Sequence, residues 1–332
     1  MLDISRMQRI RLSAHPRGQI AVALGILAPS YEIYPGVEIE FEGFEKVPRE
    51  PVIFVMNHTD RYNYFPFQYR LYRQHARFTA TWVKGKYYEN AVVSSFMEHT
   101  SNIPTVSRGY IITKDFLSVM GRRPEADEYA ALRAMLNALG KSDSEEVDAG
   151  GVPRPVFERA RNILGRPFAP QDETWAEAVD AVFRSMMRRF VELNEETFEL
   201  GLSLLVFPEG TRTKRLAKGH PGIAQIALRH SRTIVPIGCN GSDLVHPGSS
   251  PLPRAGRIVY RFGDPVRLDA SSPFHIEEEY EPFTAEAETR HGATFQALVD
   301  DLMLRINELV DPEYQFADAH ESEGVSGTGR FV

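Results

Sequence analysis

Short apolar runs recur along the chain and predict the strands of a β-sheet. Residues 37–41 alternate apolar and acidic positions, and this period of two is typical of a strand with one face toward solvent. Residues 51–56, PVIFVM, form an unbroken apolar run, which is typical of a strand covered on both faces of a parallel sheet. Similar runs occur at 77–83, 102–106, 202–207, 233–239 and 258–262.

Stretches with helical spacing separate several of these runs. Helix formers dominate the interval between the runs at 102–106 and 202–207, especially at 128–139 and 175–200. A closing amphipathic helix is predicted at 294–310. Strands that alternate with helices predict an α/β fold, with a mainly parallel central sheet flanked by helices. The interval at about 114–200 is then a helical insertion in that fold.

The two ends of the chain and a segment in the insertion depart from this pattern. Four arginines lie within the first 17 residues, and the apolar stretch 20–29 that follows is too short for a membrane-spanning helix. Residues 141–154 are polar and rich in turn formers. We therefore predict an N-terminal helical segment on a membrane surface at 1–36, a main domain at 37–316 and a flexible tail at 317–332.

Composition and charge exclude several classes of protein. The 332 residues include 38 Lys plus Arg and 45 Asp plus Glu, a net charge of −7, so no global basic field attracts nucleic acid. A hydrophobic fraction of 42% is ordinary for a globular protein, and no transmembrane segment is expected. The single cysteine, Cys239, rules out an internal disulfide and a Cys-rich zinc site, and it fits a reducing cytosolic compartment as a small core residue.

The first candidate site directly follows the apolar run that ends at Met56. Asn57 and His58 come next, so His58 lies at the carboxyl end of a buried strand, where ligands bind in open α/β sheets. Pro66 favours a helix that begins close by. A lone histidine is more often a structural residue than a base, so His58 alone does not decide the function.

The second candidate site follows the apolar run at 202–207. Residues 206–215 read VFPEGTRTKR and supply a carboxylate, a flexible glycine, a hydroxyl and three cations. Backbone N–H groups of such a loop, together with Arg212, can hold a phosphate through charge-assisted hydrogen bonds. A solvated basic loop has the same composition, so composition alone does not distinguish a phosphate site from an exposed loop.

Together the two segments resemble the lysophospholipid acyltransferase family, which includes the PlsC-type 1-acylglycerol-3-phosphate acyltransferases. The family's first block, Asn-His-x4-Asp, is matched by Asn57 and His58, and its third block, Phe-Pro-Glu-Gly-Thr-Arg, is matched without change by 207–212. Residues 103–109 are similar to the second block and 234–237 to the fourth. The resemblance covers about 37–268 in the family's order.

This resemblance implies transfer of a fatty acyl group from acyl-CoA or acyl carrier protein to the hydroxyl of a phosphate-bearing lysoglycerolipid. His58 would act as general base, without a covalent intermediate, a metal ion or a further cofactor. The expected partners are the acyl donor, a lysophospholipid acceptor and the membrane surface, and no nucleic acid. The protein would lie peripherally on the cytoplasmic, inner face of the membrane. The implied substrate-binding residues are Arg108, Glu209, Gly210, Thr211, Arg212 and Lys214.

Asn63 departs from the family's pattern, since it occupies the position of the aspartate in the first block. That aspartate is expected to orient the imidazole and to stabilise the imidazolium, whereas an amide has no charge. In the serine-protease triad the corresponding change lowers kcat about 10⁴-fold. Asp60 is the nearest carboxylate that can take over this role, although a helix N-cap is an equal alternative for it. A catalytically weak or inactive relative that binds lipid or acyl carrier is the second hypothesis.

Several other residues near these blocks have both a functional and a structural interpretation. Lys84 and Lys86 follow the run at 77–83 and either contact an acidic donor or headgroup or lie on a solvated surface. An aromatic cluster beside His58 either lines an acyl groove or packs in the core; its members are Tyr62, Tyr64, Phe65 and Phe67. Six other histidines lack the spacing of a zinc site and are assigned to the surface or core: His75, His99, His220, His230, His246 and His275.

Overall fold

The computed structural model describes residues 1–33, 36–139, 149 and 151–316. The predicted tail at 317–332 and most of the polar segment at 141–154 lie outside the described residues.

Seven strands form one mixed sheet in the order β1-β9-β8-β2-β7-β3-β4. The five neighbours from β8 to β4 are parallel, β9 is antiparallel to β8, and β1 is parallel to β9. This confirms the predicted mainly parallel sheet. The sheet strands are β1 (Val37–Glu42), β2 (Ile53–Met56), β3 (Thr79–Lys84), β4 (Asn102–Thr105), β7 (Ser203–Val206), β8 (Ile234–Asn240) and β9 (Gly256–Phe262).

Helices cover both faces of the sheet, and β2, β7 and β8 are buried along their whole length. Apolar residues of α5, α8, α9 and α11 form the core on one face, and α3 packs on the other face with residues of β1 and β9. The α-helices are α1 (Ile4–Arg9), α2 (Arg17–Val22), α3 (Tyr64–His75), α4 (Ala91–His99), α5 (Arg108–Met120), α6 (Ala126–Ala138), α7 (Pro155–Glu158), α8 (Trp175–Glu199), α9 (Gly222–Arg229), α10 (Ser242–Val245) and α11 (Ala285–Leu309).

Among its described residues, the interval between β4 and β7 contains four helices and a small hairpin that the sequence pattern did not predict. Its strands are β5 (Arg161–Ile163) and β6 (Arg166–Phe168), three residues each, which is too short for a recognisable alternation. The buried Asp115 of α5 accepts hydrogen bonds from the guanidinium of Arg161 and from the indole of Trp175. This cluster joins the hairpin to α5 and α8.

The first ten residues of the predicted N-terminal segment pack against the main domain, whereas contact of the segment at 1–36 with a membrane surface stays a prediction. Leu2, Met7 and Ile10 are at most 2% exposed and belong to the central core. The guanidinium of Arg6 binds Glu98 and two further acceptors of the protein rather than pointing outward. The apolar pattern of these residues therefore serves the core. None of the helices among the described residues is long and apolar enough to cross a membrane.

Candidate active site

The carboxyl ends of the parallel strands meet at one edge of the sheet and border a cavity of about 810 Å³. The loop after β2 contributes His58 and Asp60, and the loop after β7 contributes Phe207 and Gly210–Arg212. The structure thus brings the two blocks of the sequence together. The backbone N–H of Thr213 donates to the carbonyl of His58 at 2.9 Å, so the two loops also bond directly to each other.

Asn63 occupies the orienting position beside the His58 imidazole. Its amide nitrogen donates to the carbonyl oxygen of Asn57 at 2.9 Å, and its Oδ1 lies 3.1 Å from His58 Nδ1. Because an amide oxygen only accepts hydrogen bonds, Nδ1 carries the proton of the neutral ring. Nε2 then keeps its lone pair and is the atom that can accept a proton.

Burial lowers the pKa of His58 to about 3, and the charges of Arg212 and Lys84 act in the same direction, while the Asn63 hydrogen bond opposes them. The imidazole also stacks on the ring of Phe207, with 4.1 Å between ring centroids. His58 is therefore neutral at physiological pH and can accept a proton, but its protonated form lacks a compensating negative charge.

Asp60 does not contact His58. Its carboxylate accepts hydrogen bonds from the backbone N–H of Tyr62 at 2.7 Å and from the hydroxyl of Thr59 at 3.1 Å. The loop after β2 directs Asp60 to another part of the cavity wall. The expectation that Asp60 replaces the missing aspartate is wrong, because Asn63 itself occupies that position.

Glu209 joins the two loops and does not line the cavity. One carboxylate oxygen accepts from the backbone N–H of His58 at 2.9 Å. The other accepts from the Thr213 hydroxyl at 2.7 Å and from the backbone N–H of Ala217 at 2.9 Å. Burial raises the pKa of Glu209, although the three hydrogen bonds oppose this shift. The carboxylate of Glu209 thus fixes the backbone of His58 without lining the cavity.

Three of the predicted substrate-binding residues line the cavity, namely Gly210, Thr211 and Arg212 of the third block. Gly210 has a φ of +63°, and a Cβ there would lie 3.1 Å from the ring of His220. Both the backbone conformation and this close approach disfavour any side chain at position 210. Arg212 is exposed and has no ion-pair partner among the described residues. Its guanidinium is available for an anionic ligand.

Arg108 and Lys214 lie away from the cavity. Arg108 Nη2 is 2.9 Å from Asp180 of α8, and the guanidinium lies over the ring of Phe183. Lys214 Nζ is 3.4 Å from Glu313 at the surface. Neither residue borders the cavity. Of the cations predicted to bind the substrate, only Arg212 lines it, and Lys84 and Lys86 line it as well.

Apolar and aromatic side chains form one side of the cavity, which we call the apolar wing. Tyr62, Tyr64 and Phe65 of the aromatic cluster line it, whereas Phe67 is fully buried in the core. The wing is continued by Val93, Phe96 and Met97 of α4. The α4 residues carry no chemical motif, so a sequence pattern could not assign them to the site.

Residues after β8 also border the cavity and were not predicted to do so. They include Asp243 and His246. Neither belongs to a recognisable motif, and the sequence pattern assigned His246 to the surface or core. Cys239 of β8 is buried as predicted, and its backbone N–H and carbonyl bond to the side chain of Asn57 at 2.7 and 2.9 Å. This pair attaches the first block to β8.

Comparison with known proteins agrees with the site. A sequence model of the Acyltransferase family matches residues 38–137 and 168–240, just over half of the chain, and omits residues 138–167 in the middle of the insertion. The crystal structure of the 1-acyl-sn-glycerophosphate acyltransferase PlsC from Thermotoga maritima is 14% identical, with a TM-score of 0.37 over 90% of this chain and 80% of that chain. No curated protein sequence matches. By its family match, the chain belongs to the acyltransferase family.

Proposed function

We propose that this acyltransferase moves a fatty acyl group from acyl-CoA or acyl carrier protein to the hydroxyl of a phosphate-bearing lysoglycerolipid. The observation that carries this proposal is that His58, with its Nδ1 held by Asn63, borders a cavity that also has a cationic loop and an apolar wing. The loop at 210–212 would bind the phosphate, and the wing of α3 and α4 residues would hold an acyl chain. Such binding fixes the hydroxyl beside the base at a high effective concentration.

In this mechanism, Nε2 of His58 takes the proton of the acceptor hydroxyl while the oxygen attacks the thioester carbonyl. The resulting tetrahedral intermediate collapses, the carbon–sulfur bond breaks, and the thiolate takes the proton back from the imidazolium. Asn63 holds the ring in the required tautomer. Its amide stabilises the imidazolium through this hydrogen bond alone and adds no negative charge, which supports the second candidate, a weak or inactive relative that binds lipid or acyl carrier.

We further propose that the protein associates peripherally with the cytoplasmic face of a membrane. Exposed apolar side chains lie near the apolar wing: Val92 of α4 is 79% exposed beside Val93, and α2 packs against the end of α4, where Gly18 contacts His99. Ile26, in the segment that follows α2, is 57% exposed. Insertion of these side chains into a lipid surface would bring both amphiphilic substrates to the cavity.

Substitution His58→Ala should abolish acyl transfer. A positioned base contributes typically 10²–10⁴-fold to the rate. The measurement is the release of free CoA from palmitoyl-CoA in the presence of lysophosphatidate, with His99→Ala as the matched control on an exposed histidine. Turnover of His58→Ala within threefold of the parent would exclude the proposed base. A parent without turnover on any acceptor that still binds the lipid would favour the second candidate.

Arg212→Gln should selectively weaken phosphate-bearing acceptors. A hydrogen bond to a charged group contributes about 1.5–3 kcal/mol, so KM for lysophosphatidate should rise about 10- to 150-fold. KM for monoacylglycerol, which lacks the phosphate, should change little. The matched control is Arg215→Gln, an exposed arginine three residues away that does not line the cavity. Equal KM changes for both acceptors would move the phosphate site elsewhere.

Asn63→Asp should change the pH dependence of the reaction. The parent, with the pKa of His58 at about 3, should show a level kcat/KM between pH 8 and pH 5, because the imidazole stays neutral. A carboxylate beside the ring favours the imidazolium and raises this pKa, so activity should begin to fall at a higher pH. At pH values above this acidic limb, where activity no longer depends on pH, kcat should be at least about tenfold higher than in the parent. Loss of the corresponding carboxylate in the serine-protease triad lowers kcat about 10⁴-fold.

The control for Asn63→Asp is Asp60→Asn, which should leave the acidic limb where it is in the parent, since Asp60 does not contact the imidazole. Circular dichroism and urea unfolding test whether the carboxylate, placed against the Asn57 carbonyl, disturbs the fold. A folded Asn63→Asp variant with an unchanged limb would contradict the assigned role of Asn63.

Val92→Glu combined with Ile26→Glu should reduce recovery of the protein with floated vesicles of anionic phospholipid. Two carboxylates at exposed apolar positions oppose insertion into the lipid surface. Leu304→Glu, at a 59% exposed position of α11, is the matched control. Equal flotation of all three proteins would place the membrane contact on another face.

A further inference from the structure

The wall of the cavity after β8 and β2 carries two carboxylates that the proposed mechanism does not use. Asp243 follows β8 and Asp60 follows β2, and these strands are parallel neighbours. On the opposite side of His58, Arg212 follows β7 and Lys84 ends β3. Because neighbouring strands are about 4.8 Å apart, this edge of the sheet has an acidic side and a cationic side only about 10 Å apart.

In the part of the chain that the structure describes, the two carboxylates have no cationic partner. Burial raises the pKa of Asp60, and the charge of Asp243 adds to this shift. The hydrogen-bond donors of Asp60 are an amide and a hydroxyl, and Asp243 accepts from the hydroxyl of Tyr314 at 2.6 Å. Arg61 lines the cavity too, yet no arginine or lysine of the described residues forms an ion pair with either carboxylate.

A third acceptor beside them is also unused. His246 is fully buried, and its Nε2 lies 3.1 Å from the hydroxyl of Tyr31. Its Nδ1 is buried without a hydrogen-bond partner among the described residues, although His246 borders the cavity. Burial lowers the pKa of His246 to about 4, so the ring is neutral, and Nδ1 accepts a hydrogen bond when Nε2–H donates to Tyr31.

Buried polar atoms without partners are uncommon, because each costs free energy unless a ligand or water satisfies it. Here the unsatisfied ring nitrogen belongs to a residue that borders the same cavity as the two carboxylates, which have no cationic partner among the described residues. Three acceptors with net negative charge match a group that has several N–H donors and a positive charge. A primary ammonium has these properties, whereas a trimethylammonium has no N–H to donate.

We infer that the acceptor of this enzyme carries a primary ammonium as well as a phosphate, and that Asp60, Asp243 and His246 bind the ammonium. This inference rests on the proposed function, since it names the acceptor class of the same site. The probe of matching chemistry is lysophosphatidylethanolamine, whose phosphate would face the loop of Arg212. The acceptors that lack the N–H donors should react more slowly.

The test compares kcat/KM of the full chain for four acceptors with the same acyl chain and palmitoyl-CoA as donor. Lysophosphatidylethanolamine should exceed lysophosphatidylglycerol and lysophosphatidylcholine at least tenfold, and lysophosphatidate as well. Lysophosphatidylglycerol keeps the phosphodiester without the amine, and lysophosphatidylcholine keeps the positive charge without N–H donors. Equal use of the choline and ethanolamine lipids would overturn the match to a primary ammonium.

The matched variants are Asp243→Asn and Asp264→Asn, which remove one carboxylate charge inside and outside the cavity. Asp243→Asn should lower the ratio of kcat/KM for the ethanolamine lipid to that for lysophosphatidate about 10- to 100-fold, the range of a charge-assisted hydrogen bond. Asp264 pairs with Lys46 at the surface, follows β9 at the opposite edge of the sheet, and should leave the ratio unchanged.

The outcomes separate this inference from the proposed function. Turnover of lysophosphatidate or lysophosphatidylglycerol that equals turnover of the ethanolamine lipid would overturn the inference and leave the proposed function standing. No turnover of any lysophospholipid would overturn both. If Asp243→Asn does not fold, as measured by urea unfolding, the preference of the parent among the four acceptors decides the question alone.

Discussion

The parallel pairing of β8, β2, β7 and β3 is the constraint on which the site depends. Parallel neighbours end at the same edge of a sheet, so segments that lie far apart in the chain meet there without long connections. His58 and Arg212 are separated by 154 positions in numbering, yet their loops exchange hydrogen bonds. The reversed direction of β9 and β1 ends this arrangement at β8, so the residues after β8 form one end of the cavity.

Most of the polar residues in the two sequence blocks support the site and do not face a ligand. Asn57 attaches the first block to Cys239 of β8, and Glu209 attaches the third block to the backbone of His58. Both side chains are about 2% exposed and have their hydrogen bonds satisfied within the protein. Such buried, satisfied polar groups hold loops in one conformation, because any rearrangement leaves them without partners. This leaves few motif residues to contact the substrate.

The electrostatics of the cavity follow from the same arrangement of strand ends. Cations near His58 lower its pKa, and the amide of Asn63 does not offset their effect with a charge. His58 is thus neutral, and in its proposed role as general base its imidazolium would need stabilisation by other means than a neighbouring carboxylate. Asp60 and Asp243, the carboxylates that border the cavity, are directed toward its other end.

The sequence by itself determined the local features of this protein. Six apolar runs and one alternating segment predicted the seven strands of the main sheet, because a strand buried on both faces requires an apolar run and a strand with one solvated face requires alternation. The two blocks identified His58 and the loop at 210–212, because their chemistry lies in contiguous residues. The pattern could not distinguish an apolar N-terminus buried in the core from one on a membrane, since both environments favour the same residues.

Only the tertiary structure decided which residues share the cavity. Arg108 and Lys214 have the right charge but pair with carboxylates elsewhere, while Asp243 and His246 reach the site through the position of β8 next to β2. The role of Asn63 likewise depended on the direction of its amide, which is set by the Asn57 carbonyl. Charge and residue type are properties of the sequence, whereas distance and orientation arise from the packing of segments that are remote along the chain.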